Sequence, residues 1–317
     1  MTGDRCRICG NAKGNRLHRA REMQFGTGEE FDYVECAECG CVQIAEIPED
    51  LQRFYPSEYP PHAPPRDRPG GLVGLLRRLR SSLLYGRSGQ GSGLPVPGAT
   101  YHEWFRGAGV GTGSAIVDVG AGSGALLRKM QADGFRNLTG VDPYLAQEMT
   151  EPGFVLRRGQ LADLEGPFDL VMMHHSFEHI ADPVGALREV ARAIGEKGVA
   201  LVRVPVADGW AWRHYGVDWF QLDAPRHLHL HTRRSLAILA AAAGLRVSDV
   251  VHDSRENQFW VSELYRKGLS LVDPATSRPR RAAAHFGRAE LREFRARARR
   301  LNAAGEGDQA CFYMVRA

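Results

Sequence analysis

The sequence predicts a doubly wound α/β sheet preceded by a small cysteine module, and three observations carry that reading. From about Thr100 onward, apolar strand-like runs alternate with amphipathic helical stretches, the pattern of an open parallel sheet covered on both faces. The stretch AIVDVGAGSGALLRKMQADG, residues 115–134, ends a strand in an acid, turns on three glycines and opens a helix. Near the N-terminus, Cys6 and Cys9 form one C-x2-C pair and Cys36 and Cys39 a second, each followed by glycine.

The order of regions follows from composition. Residues 1–55 hold the cysteine pairs, residues 56–98 are a Pro/Gly-rich connector, and residues 99–317 form the main domain, with acceptor-side insertions at 206–232 and 254–305. With 41 Lys+Arg against 37 Asp+Glu, the formal charge of +4 neither demands a polyanionic partner nor excludes one. The start, MTGDRCRICG, has no apolar signal core, and the longest apolar run, LAILAAAAGL, is too short to span a bilayer. The expectation is a cytoplasmic protein without a membrane span. In that reducing compartment tight cysteine pairs point to metal rather than disulfides. Four thiolates close a tetrahedron, so the expected ion is a structural zinc that stabilises a piece too small to bury a core.

The connector contains GLVGLLRRLRSSLLYG, an amphipathic basic helix expected to pack against the main domain rather than to cover the cofactor or lie on a membrane. Strands are expected at 115–119, 137–142, 154–158, 168–174, 199–205, 245–252 and 309–316, and helices at 100–108, 123–133, 183–194 and 233–243. Asp182 before Pro183 and Thr232 supply helix caps, and Gly244 a stop. SRPRRAAAHFGRAELREFRARARR reads as a solvated helical insertion, and Phe259, Trp260 and Tyr265 just before it as walls of an acceptor pocket.

At the glycine turn, Gly120, Ala121, Gly122 and Gly124 let a ligand approach the main chain where side chains would collide. The next strand ends in Asp142, before Pro143, at the spacing where nucleotide-binding folds set an acid on ribose hydroxyls. Asp118, ahead of the first glycine, suits a cationic amino group and would be poorly placed beside a pyrophosphate. That favours S-adenosylmethionine over a dinucleotide.

The order continues through GPFDLVMMHHSFEHIADPVGALREVARAIGEKGVALVRVP. With the glycine loop and GVDP, it closely resembles the class I S-adenosylmethionine-dependent methyltransferases across most of residues 100–317. The resemblance implies a Rossmann-like doubly wound seven-stranded sheet whose last strand, DQACFYMVRA, is antiparallel. It implies that the loop from Asp118 to Gly124 holds the methionine part, Asp142 the ribose, and Gln160 and Leu161 the adenine. His174 and His175 would lie beside the methyl group or the acceptor. The cysteine module and LQRFYPSEYP resemble those of small-molecule methyltransferases acting on sugars, polysaccharide precursors or secondary metabolites. Methyl transfer to oxygen with a histidine base is therefore expected.

Two histidine clusters compete for that role, HHSFEH and APRHLHLH. In an extended segment His227, His229 and His231 share one face, a possible metal geometry that no suitably spaced acid or thiol completes, so structural contacts or a base are the expected roles. His227 leads as base, followed by His175, Glu178 and His229; Glu178 can alternatively anchor the helix capped by Asp182. An RNA methyltransferase gripping its substrate through the cysteine module is the rival reading. Glu29, Glu30, Asp32, Glu35 and Glu38 in that module argue against it by repelling phosphate. A non-catalytic cofactor-binding scaffold is a third, and the sequence leaves the oligomeric state open.

Overall fold

The computed structural model describes residues 5–55, 79, 81, 85–86, 101, 104–105 and 107–317. Most of the connector, including nearly all of its expected amphipathic helix, lies outside the described residues. Among the described residues no helix is long and apolar enough to cross a membrane.

The cysteine module contributes β1 (Arg16–Arg21), β2 (Glu30–Glu35) and β3 (Val42–Ile44), an antiparallel meander. The main domain follows as β4 (Ile116–Val119), α1 (Ala125–Ala132), β5 (Leu138–Asp142), β6 (Met149–Glu151), β7 (Phe154–Arg158) and β8 (Phe168–His174). It continues as α2 (Pro183–Ala193), β9 (Ile194–Pro205), α3 (Trp210–Tyr215), β10 (His229–Leu230), α4 (Arg233–Ala242) and β11 (Leu245–His252). Last come α5 (Asn257–Arg266), a ribbon of β12 (Val272–Asp273) and β13 (Arg278–Pro279), α6 (Arg288–Ala303) and β14 (Gln309–Arg316).

The central sheet runs β11-β14-β9-β8-β4-β5-β7-β6. β4 pairs in parallel with both β5 and β8, so strand order reverses at β4/β8, and the carboxyl ends of strands at such a reversal are where open α/β sheets gather ligands. β14 is antiparallel to β9 and β11, as the resemblance implied. The expected seven strands are all present, but the sheet has eight. The addition, β6, is a three-residue edge strand that pairs antiparallel with β7 and is too short for a sequence pattern to register.

The helix signals hold locally. Asp182 accepts from the Gly185 N–H at 2.9 Å with Pro183 in the first turn, and Thr232 accepts from Ser235 N–H at 3.0 Å in a reciprocal cap. Alternation through β14 sends Ala310, Phe312 and Met314 to the core under α2 and α4, and Cys311 and Tyr313 to the opposite core with Tyr101, Trp104 and Phe105. α6 is the expected solvated helix, burying only Ala298.

The module is not a separate bead. β10, from the 206–232 insertion, pairs antiparallel with β3 and completes the module's four-stranded sheet. Cys6, Cys36, Cys39 and Cys41 pack in one apolar cluster with Leu236 and Leu239 of α4. Phe259 and Tyr265, expected as pocket walls, are instead buried core: Phe259 packs with Tyr33, Trp212 and Trp219, and Tyr265 with Val261 and Phe286.

Candidate active site

The glycine turn is built as its residue types require. Gly120, Gly122 and Gly124 hold φ of +78°, +53° and +74°, left-handed values that a side chain disfavours. The N–H groups of Gly120 and Ala121 both donate to the Val141 carbonyl, at 2.8 and 3.1 Å. Asp142 accepts from Gly122 N–H at 2.9 Å and Tyr144 N–H at 2.8 Å, which locks its carboxylate beside the turn. Pro143 beside it is exposed. A Cβ on Gly120 would lie 2.5 Å from Ser176 Cβ, so the loop and the end of β8 leave no room for one. Gly120→Ala is expected to cost roughly 1–3 kcal/mol, from left-handed strain and overpacking, and to weaken cofactor uptake. Thermal unfolding and S-adenosylhomocysteine titration of this variant read both effects.

Asp118, at the end of β4, is buried, and its Oδ1 has no hydrogen-bond partner among the described residues. Burial first, and then the Asp142 charge, push its carboxyl up to about 7. An unpartnered buried carboxylate is costly unless a cation completes it. Gln160 is exposed and begins the short turn in which Leu161 is buried; the Gln160 N–H donates to Asp163 at 2.7 Å.

The second half of the crevice comes from the residues after β8. His174 packs against Trp104, with ring centroids 4.2 Å apart and the planes tilted by 35°, and both of its ring nitrogens are buried without a partner among the described residues. Burial, reinforced by Arg203, keeps this imidazole neutral well below the usual histidine range. Arg203 and Trp104 both donate to Asp253, at 2.7 and 2.9 Å, which closes that side of the crevice.

His175 has φ of +51°, a strained value for a non-glycine residue, and its side chain is 34% exposed. Its Nδ1 lies 3.1 Å from Glu178 Oε1. Glu178 itself is fully buried. Burial raises its carboxyl, but the hydrogen bond and charge of His175, then His227 and His179, overcome that and bring it down to about 2. His227 points its Nδ1 at the Gln221 carbonyl at 2.6 Å, and its Nε2 lies 3.9 Å from Glu178 and 3.8 Å from Asp223. A carbonyl only accepts, so Nδ1 carries a proton, and Nε2 faces the two carboxylates.

The structure thus gathers His175, Glu178 and His227, while His229 lies elsewhere. His229 is fully buried in β10, accepts from Arg7 of the module at 3.3 Å and stacks on His231 at 5.6 Å. It serves the seam between module and domain. Sequence reasoning missed Arg226, a fully buried guanidinium that binds Glu22 at 2.8 Å, Asp223 at 2.5 Å and the Phe54 carbonyl at 3.2 Å. The i,i+3 spacing of Asp223 and Arg226 was a usable signal; nothing local marks Glu22, whose oxygens also take the N–H groups of Gln24, Phe25 and Thr27.

In the module, the sulfurs of Cys6 and Cys39 are 3.6 Å apart and those of Cys9 and Cys36 3.5 Å, and all four lie within 4.8 Å of one another. Those spacings are far beyond a disulfide and close to the ~3.8 Å edge of a tetrahedron with 2.3 Å zinc–sulfur bonds. The Ile8 and Cys39 N–H groups point at Cys6 and Cys36 sulfurs, each at 3.4 Å. The donor set fits a zinc ion.

Against known proteins, residues 92–250, half of the chain, match the methyltransferase-domain family. A ubiquinone biosynthesis O-methyltransferase of Caulobacter sp. (strain K31) is 30% identical over 101 residues, covering 28% of this chain and 40% of that protein. The chain therefore aligns with well under two thirds of that relative's length. Among solved structures, the mitomycin 7-O-methyltransferase is 16% identical with a TM-score of 0.39, covering 65% of this chain and 50% of that one. An S-adenosylmethionine-dependent methyltransferase from Mesorhizobium loti is 18% identical with a TM-score of 0.39, covering 64% and 91%. At these scores nothing about acceptor or site residues carries across.

Proposed function

The chain belongs to the methyltransferase-domain family, and from that premise we propose that it transfers the methyl group of S-adenosylmethionine to a hydroxyl of a small molecule. The observation that carries this reading is Asp118, a buried carboxyl group with an unpartnered oxygen, two residues ahead of the glycine turn. It fits the ammonium of the cofactor's methionine part, and Asp142 beside it fits the ribose. When bound, S-adenosylmethionine supplies a methyl group already activated by its sulfonium.

The chain's own residues then need only align the acceptor and take one proton. Glu178 accepts from His175 Nδ1 and so leaves Nε2 as the base, in the same orienting logic as a nucleophile's histidine–carboxylate pair. His175 ranks ahead of His227 because its side chain is 34% exposed against 8%. Trp104 over His174 supplies a flat wall on the acceptor side. The name of the curated relative agrees with an oxygen acceptor.

The RNA reading is weaker. Three of the module's arginines are already paired, Arg16 with Glu35, Arg19 with Asp32 and Arg53 with Glu29, which lessens what it offers to phosphate. We further assign Cys6, Cys9, Cys36 and Cys39 a structural zinc.

Calorimetry with S-adenosylhomocysteine tests the reading. In the free protein Asp118 is protonated below about 7, and the ammonium favours its ionised form. Binding should release a proton near neutrality, so the measured heat should change with the buffer's ionisation enthalpy, and affinity should fall as the pH drops below about 7. In the unliganded protein the same raised carboxyl adds stability below its unfolded value that is lost as the pH rises through about 7. Asp118→Asn should remove the proton release and weaken binding about 10- to 100-fold. No uptake of the compound by wild type would end this proposal.

A further inference from the structure

We propose that Glu178, His179 and His227 hold a divalent metal ion, separate from the cysteine site, at the acceptor side of the crevice. One ligand atom from each of the three lies within 4.8 Å of the others. Both imidazoles are aimed by the main chain: His227 Nδ1 donates to Gln221 O at 2.6 Å and His179 Nδ1 to Arg226 O at 2.8 Å, with Tyr55 Oη 3.1 Å from the same nitrogen. In a neutral ring, a nitrogen fixed as donor leaves the other as a lone pair, which is how outer hydrogen bonds prepare metal-binding histidines. Glu178 is divided in the same way. Oε1 takes His175, while Oε2 is buried without a partner among the described residues.

Charge points to the same place. Glu22, Asp223 and Glu178 are buried, and of these Glu22 and Asp223 share one guanidinium, Arg226. The tip of His227 sits between two of the carboxylates, 3.9 Å from Glu178 Oε1 and 3.8 Å from Asp223 Oδ2. A cation there faces an excess of buried negative charge in a region of low dielectric. Two nitrogens and one carboxylate oxygen suit zinc, cobalt, manganese or ferrous iron, and three protein ligands leave positions open for water or an acceptor oxygen. The ligand atoms, up to 4.8 Å apart, would draw in by as much as about 1.5 Å to reach the ~3.3 Å separations of a shell with 2.0–2.1 Å bonds.

The catalytic consequence alone rests on the methyl-transfer reading. An acceptor hydroxyl that coordinates the ion becomes more acidic, which favours acceptors with a second oxygen placed to chelate. His175 Nε2 stays free to take the proton.

Cobalt(II) titration of the full chain, refolded with cobalt in place of zinc at the four cysteines, decides the matter. A four-thiolate site gives intense sulfur-to-cobalt charge transfer, and a nitrogen–oxygen site gives only weak visible bands. Wild type should show both signatures. Glu178→Gln, and independently His179→Gln, should weaken the second site about 100-fold while retaining the thiolate bands, which report an intact fold. Wild type that saturates with thiolate bands alone overturns the proposal. S-adenosylhomocysteine calorimetry is a separate readout, so a chain that takes cobalt but not this compound loses the methyl-transfer reading and keeps the metal site.

Discussion

His175→Ala should lower turnover by about 10²- to 10⁴-fold, the usual contribution of a positioned general base, while S-adenosylhomocysteine affinity changes little. The expectation follows from its exposed ring, its orienting carboxylate and its strained backbone at the end of β8. Single-turnover kinetics beside calorimetry give the two numbers. Equal loss of binding and rate would mean that His175 shapes the pocket and does not act on the proton.

Removing metal from the four cysteines should be the most damaging change to the fold. Apparent binding free energies for structural zinc in small domains are ~10–16 kcal/mol, and that energy is folding energy. Here the loss would travel. Thr232, the cap of α4, donates to the Cys39 carbonyl at 2.6 Å, Tyr33 Oη donates to the His227 carbonyl at 3.0 Å, and β3 pairs with β10. Cys36→Ser is therefore expected to lower the melting temperature and abolish turnover together, with part of the cofactor affinity kept, because the glycine turn lies on β4 and β5. Melting curves, metal content and S-adenosylhomocysteine titration check it. A zinc-free protein with unchanged melting and turnover would refute the assignment.

What was legible in the chain was what is local. The strands at 116–119, 138–142 and 168–174 were marked by apolar runs, and the caps at Asp182 and Thr232 by residue type at fixed offsets. The glycine turn and its acids were legible for the same reason. Distant pairings were not. β10 is two residues long and exists because β3, nearly two hundred positions earlier, offers it a ladder, so nothing in HLHLH marks which histidine faces a strand and which faces Glu178. His229 looked like His227 by sequence, and only the seam separates them. Arg226 and Glu22 lie 204 positions apart, and a buried ion pair of that kind has no periodic signature. The left-handed turn of His175 goes with its N–H bond to the Arg203 carbonyl on the neighbouring strand, a partner that its own side chain does not announce.

The strand that β10 lends to β3 also bears on how such a protein can be taken apart. Two units that each close their own sheet can be shuffled between genes or cut apart at a linker. Here, excision of either unit would bare a polar backbone edge and split the apolar cluster that joins Tyr33, Val42 and Ile44 to Trp212, Trp219 and Leu230. The cysteine module and the 206–232 insertion are therefore expected to fold and unfold as one unit, so that a change in either should be felt in both.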